Sequence, residues 1–186
     1  MNLFRLEHSE AAYRADFALY GAAVPLLAVF VLADGPRGQW PASLAFAAVG
    51  LGAWTLIEYA LHRFVLHGIE PFRGWHAEHH QRPAALICAP TLLSATLIFA
   101  LVFVPSWLLG GLWRAGALTL GVLAGYLVYA ITHHATHHWR ARSAWLMQRK
   151  RWHALHHHTA GAAGCYGVTS GFWDRVFAST RRAPAP

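Results

Sequence analysis

The chain is predicted to be all-α, an integral membrane protein with about four transmembrane helices and a histidine-rich helical cap on the cytoplasmic side. Three observations predict this. Hydrophobic residues make up 56% of the 186 residues and charged residues only 12%, whereas soluble domains carry roughly a quarter charged. Four segments approach the roughly 20 apolar residues needed to cross a hydrocarbon core. The clustered histidines all fall on one side of those segments. With no glycine-serine linker or low-complexity run, the length suits one domain over 1–186.

The opening stretch MNLFRLEHSEAAYRADF carries Glu7, Glu10 and Asp16 before any long apolar run, so it does not read as a cleavable signal. The first span, 17–33, is short but uncharged. The second, 41–60, is interrupted only by Glu58 near its end. The third, 84–110, is long, and Pro90 and Pro105 are expected to kink or bound it. The fourth, 115–132, runs into histidines. Backbone groups in lipid must bond internally, which makes helices the expected form of all four.

Charge then orients the spans. The turns 34–40 and 110–114 hold Arg37 and Arg114, and the other thirteen of the 15 Lys and Arg residues lie in the N-terminal segment, in 61–83 and in 139–182. The positive-inside rule makes that richer side cytoplasmic, with both termini on it. A multi-pass inner-membrane protein is expected. Arg149-Lys150-Arg151 reads as part of this bias. The net charge of +7 is scattered around apolar segments instead of lining a polar face, which argues against nucleic-acid binding. Cys88 and Cys165 lack CxxC spacing and read as packing residues, not as a disulfide framework or an iron–sulfur site.

Of the 14 histidines, only His8 stands apart. The others form HRFVLH (His62, His67), HAEHH (His76, His79, His80), HHATHH (His133, His134, His137, His138) and HALHHH (His153, His156, His157, His158). Residues three and four apart share a helix face, so His76/His79/His80 and His153/His156/His157 each present a trio in one direction, and His133 and His137 stack. Five residues fits one face poorly. His62 and His67 should therefore flank a helix end or approach different metals.

One such histidine is ordinarily a packing residue. Thirteen buried together are different: neutral rings need many partners and charged rings repel. Metal coordination resolves both costs, because neutral imidazole is a good ligand for iron, copper, zinc and nickel. One tetrahedral zinc uses about four ligands and leaves most of the set unexplained. Two ions, each holding about five nitrogens, account for it better.

The motifs IEYALHRFVLH at 57–67, HAEHH at 76–80, ITHHATHH at 131–138, RWHALHHH at 151–158 and YGVTSGFWDRVF at 166–177 closely resemble those of the fatty acid hydroxylase and sterol desaturase superfamily of membrane di-metal oxygenases, most of all its fatty acid hydroxylase branch. The resemblance implies metal ligands at His62, His67, His76, His79, His80, His133, His137, His153, His156 and His157. His134, His138 and His158 are then alternatives, since His134/His138 repeats the spacing of His133/His137. It further implies two iron ions, with zinc possible in purified protein, and hydroxylation of a lipid acyl C–H bond using dioxygen.

Carboxylates commonly fix ligating histidines through the second ring nitrogen. Glu58, one turn before His62, and Asp174, in GFWDRVF, are the candidates. Asp174 could instead pair with Arg175 or Arg63. Glu78 points off its trio's face toward solvent. Tyr59, Trp75, Trp152, Tyr166 and Trp173 suit an interfacial aromatic belt. No Gly-rich dinucleotide loop, cysteine cluster or haem domain stands among these residues, so a separate redox partner such as a ferredoxin or cytochrome is expected, along with a lipid or fatty-acyl substrate in the membrane.

A carotenoid ring hydroxylase or sterol-modifying oxidase of the same superfamily is an alternative. The former tends to show HDGLVH where this chain has HHATHH. A bis-histidine haem electron carrier would use four histidines for two haems and leave nine idle. A metal transporter would carry polar residues along its spans, and these are nearly free of charge away from one end.

Overall fold

A computed structural model of the chain describes residues 7–158 and 164–180. Arg5, Arg181 and Arg182, counted in the charge asymmetry, lie outside the described residues. Among the described residues seven helices follow in order: α1 (Glu10–Asp34), α2 (Arg37–Leu66), α3 (Phe72–Gln81), α4 (Thr91–Gly110), α5 (Leu112–His138), α6 (Ala144–His158) and α7 (Phe172–Val176). No strand forms among the described residues, beyond one isolated bridge between Glu7 and Ile87. Helices α1, α2, α4 and α5 are long and apolar enough to cross a membrane.

The helix ends differ from the hydropathy boundaries in an instructive way. Helix α4 starts only at Thr91, because Pro90 disfavours helical backbone at the residue before it. A π-helical turn at Phe99–Phe103 precedes Pro105, whose missing N–H and bulky ring loosen the regular ladder one turn upstream. At the other extreme, α2 runs past residue 60 to Leu66, and α5 past residue 132 to His138. Hydropathy falls where the histidines begin, but backbone hydrogen bonding does not.

Two compact units make up the chain, and α2 and α5 contribute to both: Met1–Trp54 with Leu86–Leu127, and Thr55–Ala85 with Val128–Pro186. In the first, the Ser9 hydroxyl caps α1 by accepting from the Ala12 amide at 3.2 Å. Gly50 and Gly121 let α2 and α5 meet backbone to backbone. A Cβ on Gly50 would lie 2.2 Å from the Leu118 carbonyl oxygen, and one on Gly121 would lie 2.0 Å from that of Ala47. Small residues at such crossings are the usual packing device in membranes. Asp16, buried on α1, accepts a 2.6 Å bond from the Thr91 hydroxyl, and the hydroxyls of Tyr20 and Ser94 lie 2.7 Å apart. These buried polar groups thereby find partners within the unit.

The second unit holds the end of α2, α3, the end of α5, α6 and α7. Ser143 caps α6 by accepting from the Leu146 amide at 3.2 Å. On α6, Arg149, His153 and His156 are all buried, which matches the i, i+4, i+7 spacing of one helix face. Arg149 is thus a core residue instead of a topology marker. Its guanidinium lies over the Trp152 ring at 5.7 Å. Burial lowers its pKa, and the nearby carboxylates of Glu58 and Asp174 act in the opposite sense.

Candidate metal centre

The second unit gathers imidazoles from four helices. His62 sits in a π-helical turn, Leu61–Leu66, that ends α2, and His67 follows directly. His76, His79 and His80 lie on α3. His133 and His137 lie on α5, and His153, His156 and His157 on α6. The π turn explains the five-residue spacing. Its bonds run from i to i+5, so residues five apart approach a common side. The His62 and His67 rings come to 5.4 Å between centroids and belong to one group, not to two.

That group comprises His62, His67, His76, His80 and His156. A second comprises His79, His133, His137 and His153, and in each the candidate ligand atoms lie within 4.8 Å of one another. His157 lies beside the second set, its Nε2 3.0 Å from that of His153. The closest approaches are Nε2 to Nε2. They measure 2.9 Å for His62–His76, 3.0 Å for His80–His76 and 3.1 Å for His67–His156. In the second set they measure 3.1 Å for His133–His79 and 2.8 Å for His153–His137.

These contacts fit ions. Two nitrogens each about 2.1 Å from one ion and at right angles lie about 3 Å apart. The tautomers agree. The Nδ1–H of His62 donates to the Tyr166 carbonyl at 2.6 Å, and that of His156 to the Gly164 carbonyl at 2.9 Å. Each neutral ring then turns a bare Nε2 lone pair inward, toward another Nε2. Facing lone pairs buried without a cation would repel. An all-imidazole donor set suits borderline first-row metals.

Burial keeps the rings neutral. It pushes His79 down to about 2, His80 and His156 down to about 3, and His157 down to about 4, and neighbouring imidazoles push in the same direction. At His156 the bond to Gly164 pulls back upward. His76 and His153 are driven well below the ordinary imidazole value by the same two causes. The neutral form is the metal-binding form.

Segment 164–170 fastens two of these rings, and two buried carboxylates grip the segment. Asp174 accepts from the amides of Tyr166 at 2.9 Å and Gly167 at 2.8 Å, and from the Ser179 hydroxyl at 2.7 Å. Glu58 accepts from the amides of Val168 at 2.6 Å and Thr169 at 2.9 Å, and from the Thr169 hydroxyl at 2.5 Å. Neither carboxylate reaches a histidine directly. Each acts through peptide groups, a role that side-chain spacing cannot reveal because the acceptors of the histidine protons are the main-chain oxygens of Gly164 and Tyr166.

The remaining expected residues sit elsewhere. His134 and His138 stack on each other at 4.5 Å between centroids, and His158 is exposed at the end of α6. None of these three belongs to either group. Glu78 pairs on the surface with Arg82 at 3.0 Å. Tyr59 and Tyr166 are buried, so they are not belt residues. The Tyr166 ring packs against His62, His67 and His156 at 5.5–5.7 Å. Among the described residues, neither Cys88 nor Cys165 forms a disulfide.

Comparison with known proteins agrees with this architecture. The fatty acid hydroxylase family model matches residues 47–179. The chain is 36% identical to the ceramide very long chain fatty acid hydroxylase scs7 of Schizosaccharomyces pombe, over 73% of this chain and 42% of that protein. It is 37% identical to the dihydroceramide fatty acyl 2-hydroxylase FAH2 of Arabidopsis thaliana, over 70% of this chain and 58% of that protein. The chain thus spans about half the length of these relatives. A solved structure of full-length scs7p, with only the hydroxylase domain visible, is similar at a TM-score of 0.79 and 27% identity, covering 94% of this chain and 69% of that one. On the family match, the shared motifs and the fold together, the chain belongs to the fatty acid hydroxylase family.

Proposed function

We propose that this protein is a membrane lipid hydroxylase with two metal positions. His62, His67, His76, His80 and His156 hold one, and His79, His133, His137, His153 and His157 hold the other. The observation that carries this reading is the convergence of ten Nε2 atoms from four helices at mutual spacings suited to two ions. Two iron ions are the proposed cofactors, and zinc can compete for the same nitrogens. With dioxygen and electrons from outside the chain, such a pair supplies the insertion of one oxygen atom into a lipid C–H bond.

The chain's own residues prepare the site. Tyr166 and Gly164 carbonyls fix the tautomers of His62 and His156. Glu58 and Asp174 hold the segment that carries those carbonyls, as partners beyond the ligands do in other metal sites. The substrate is a fatty acyl chain entering from the bilayer, a reading supported by the acyl hydroxylase names of the relatives. The electron donor is a separate ferredoxin or cytochrome. The protein sits in an inner membrane with the centre and both termini cytoplasmic, as the distribution of Lys and Arg supports.

The test is anaerobic iron loading of the purified protein, followed by a reductant, dioxygen and a membrane lipid extract. Lipids heavier by one oxygen atom are the expected product in mass spectrometry. Two bound irons with no oxygenated lipid overturn the reading.

A further inference from the structure

Tyr59 is almost fully buried, and its surroundings assign the direction of every hydrogen bond it makes. An Arg63 guanidinium N–H donates to its hydroxyl at 2.5 Å, and arginine can only donate. At the far end Asp174 accepts from the Ser179 hydroxyl at 2.7 Å. The Tyr59 and Ser179 hydroxyls, 3.0 Å apart, must then run Arg63 to Tyr59 to Ser179 to Asp174. The phenol proton of Tyr59 therefore points along a chain that ends on a carboxylate oxygen.

A second observation is independent of this one. The Tyr59 ring lies 6.0 Å from that of Tyr166, which in turn packs against His62, His67 and His156. On its other side Tyr59 stacks on Phe177 at 5.4 Å, and Phe177 on Trp173 at 5.8 Å. Phe177 is about half exposed. A continuous path of rings thus runs from the imidazole cluster to the surface of the unit, and the two easily oxidised residue types, tyrosine and tryptophan, occupy it.

We propose that Tyr59 is a redox-active residue that carries oxidising equivalents away from the centre when no lipid C–H bond is in reach. One electron passes from Tyr59 through the Tyr166 ring toward the imidazole cluster, where a metal pair held by those histidines and oxidised by dioxygen, itself reduced toward water, would accept it. The Tyr59 O–H bond breaks as its proton moves to Ser179 Oγ, while the Ser179 proton moves to Asp174 Oδ1. A neutral tyrosyl radical and a protonated carboxyl remain. Arg63, which lies over both the Tyr59 and Tyr166 rings at 5.8 Å, disfavours a cationic ring, so electron and proton leave together. An external thiol returns one electron through Trp173 and Phe177, leaving as a thiyl radical that couples to a disulfide and giving its own proton to solvent, while the proton held on Asp174 travels back through Ser179 to the Tyr59 oxygen. The source of the oxidising equivalent rests on the oxygenase reading; the proton-coupled oxidation of Tyr59 does not.

The experiment has a metal-free arm and an iron-loaded arm, both on the full chain in detergent. In the first, a ruthenium photo-oxidant generates tyrosyl absorbance in a flash. The long-lived part is expected to vanish in Tyr59→Phe, which keeps the ring stack. In Ser179→Ala its formation slows roughly tenfold or more, and the solvent deuterium effect is lost, because a positioned proton acceptor has been removed. Wild-type kinetics in both variants overturn the proposal. In the second arm, oxygen is admitted without lipid, and an organic radical detected by electron paramagnetic resonance is expected in the wild type and absent in Tyr59→Phe. A loaded protein that forms no radical, or the same radical in Tyr59→Phe, overturns the relay while the metal reading stands. Protein that binds no iron yet loses the flash signal in Tyr59→Phe keeps the tyrosine chemistry and removes the metal reading.

Discussion

Both units bury polar groups inside a largely apolar chain and pair donors with acceptors, but only the second also turns imidazole nitrogens toward one another. In the first unit, donors meet acceptors: Thr91 donates to Asp16, and Tyr20 pairs with Ser94. In the second, imidazole nitrogens face one another across six Nε2–Nε2 contacts of 2.8–3.1 Å, and on His62 and His156 the inward nitrogen is a bare lone pair because Nδ1–H donates to a main-chain carbonyl. The pairs in the first unit need nothing beyond the protein, whereas the facing nitrogens of the second suit cations, and under the proposed metal reading this contrast separates buried polarity that serves folding from buried polarity that serves a metal.

The strongest way to break the contrast is His156→Ala. The change removes one candidate ligand and the Nδ1–H bond to Gly164. Metal content should fall, and lipid hydroxylation should drop by more than about 100-fold, since even loss of a supporting partner costs about 10- to 100-fold. Elemental analysis and product mass spectrometry check both. Normal metal loading would remove His156 from the set.

A pH titration sharpens it next. In metal-free protein, His79, His80, His156 and His157 bind protons only far below the ordinary value near 6.5, whereas the same residues in unfolded chain bind them near 6.5. The unfolded state therefore takes up more protons as the pH falls from about 6.5 toward about 3, and stability falls with it. Hydrogen exchange should accelerate across that window in α3 and α6 before it does in α1 and α4. Uniform exchange in both units would erase the distinction. Bound metal should persist below pH 6, the value an ordinary imidazole would set, and leave when the second unit opens.

Paired carboxylate changes give a smaller effect. Asp174→Asn turns an amide N–H₂ toward a site where three donors converge, and metal affinity should weaken by about 10- to 100-fold. Asp16→Asn keeps an acceptor for Thr91 and should leave metal affinity unchanged, which isothermal titration with ferrous ion measures. Smallest of all is His138→Ala. Its ring stacks on His134 outside both groups, so metal content should match the wild type. A loss of one ion there would move the third motif to the His134/His138 register.

Much of the site was legible because imidazole has few reasons to crowd a greasy chain, and because helical spacing names the faces of HAEHH and HALHHH. His62 and His67 resisted, since a π turn changes the period that spacing arguments assume. Glu58 and Asp174 could be singled out as acidic residues near the motifs, but not their partners. Tyr59 and Tyr166 read as belt residues because aromatic composition at a span end cannot separate a ring facing lipid from one facing histidines.

By itself the sequence determined the all-helical membrane fold, the four apolar helices and the residue types able to bind metal, since hydropathy and local period are properties of adjacent residues. Only the tertiary structure decided how the imidazoles divide into groups of five and four, which main-chain oxygens fix the tautomers of His62 and His156, and which groups the buried carboxylates hold. Those outcomes depend on contacts between residues up to 111 positions apart. Such contacts form when helices pack, and no local pattern encodes the distance between two side chains on different helices.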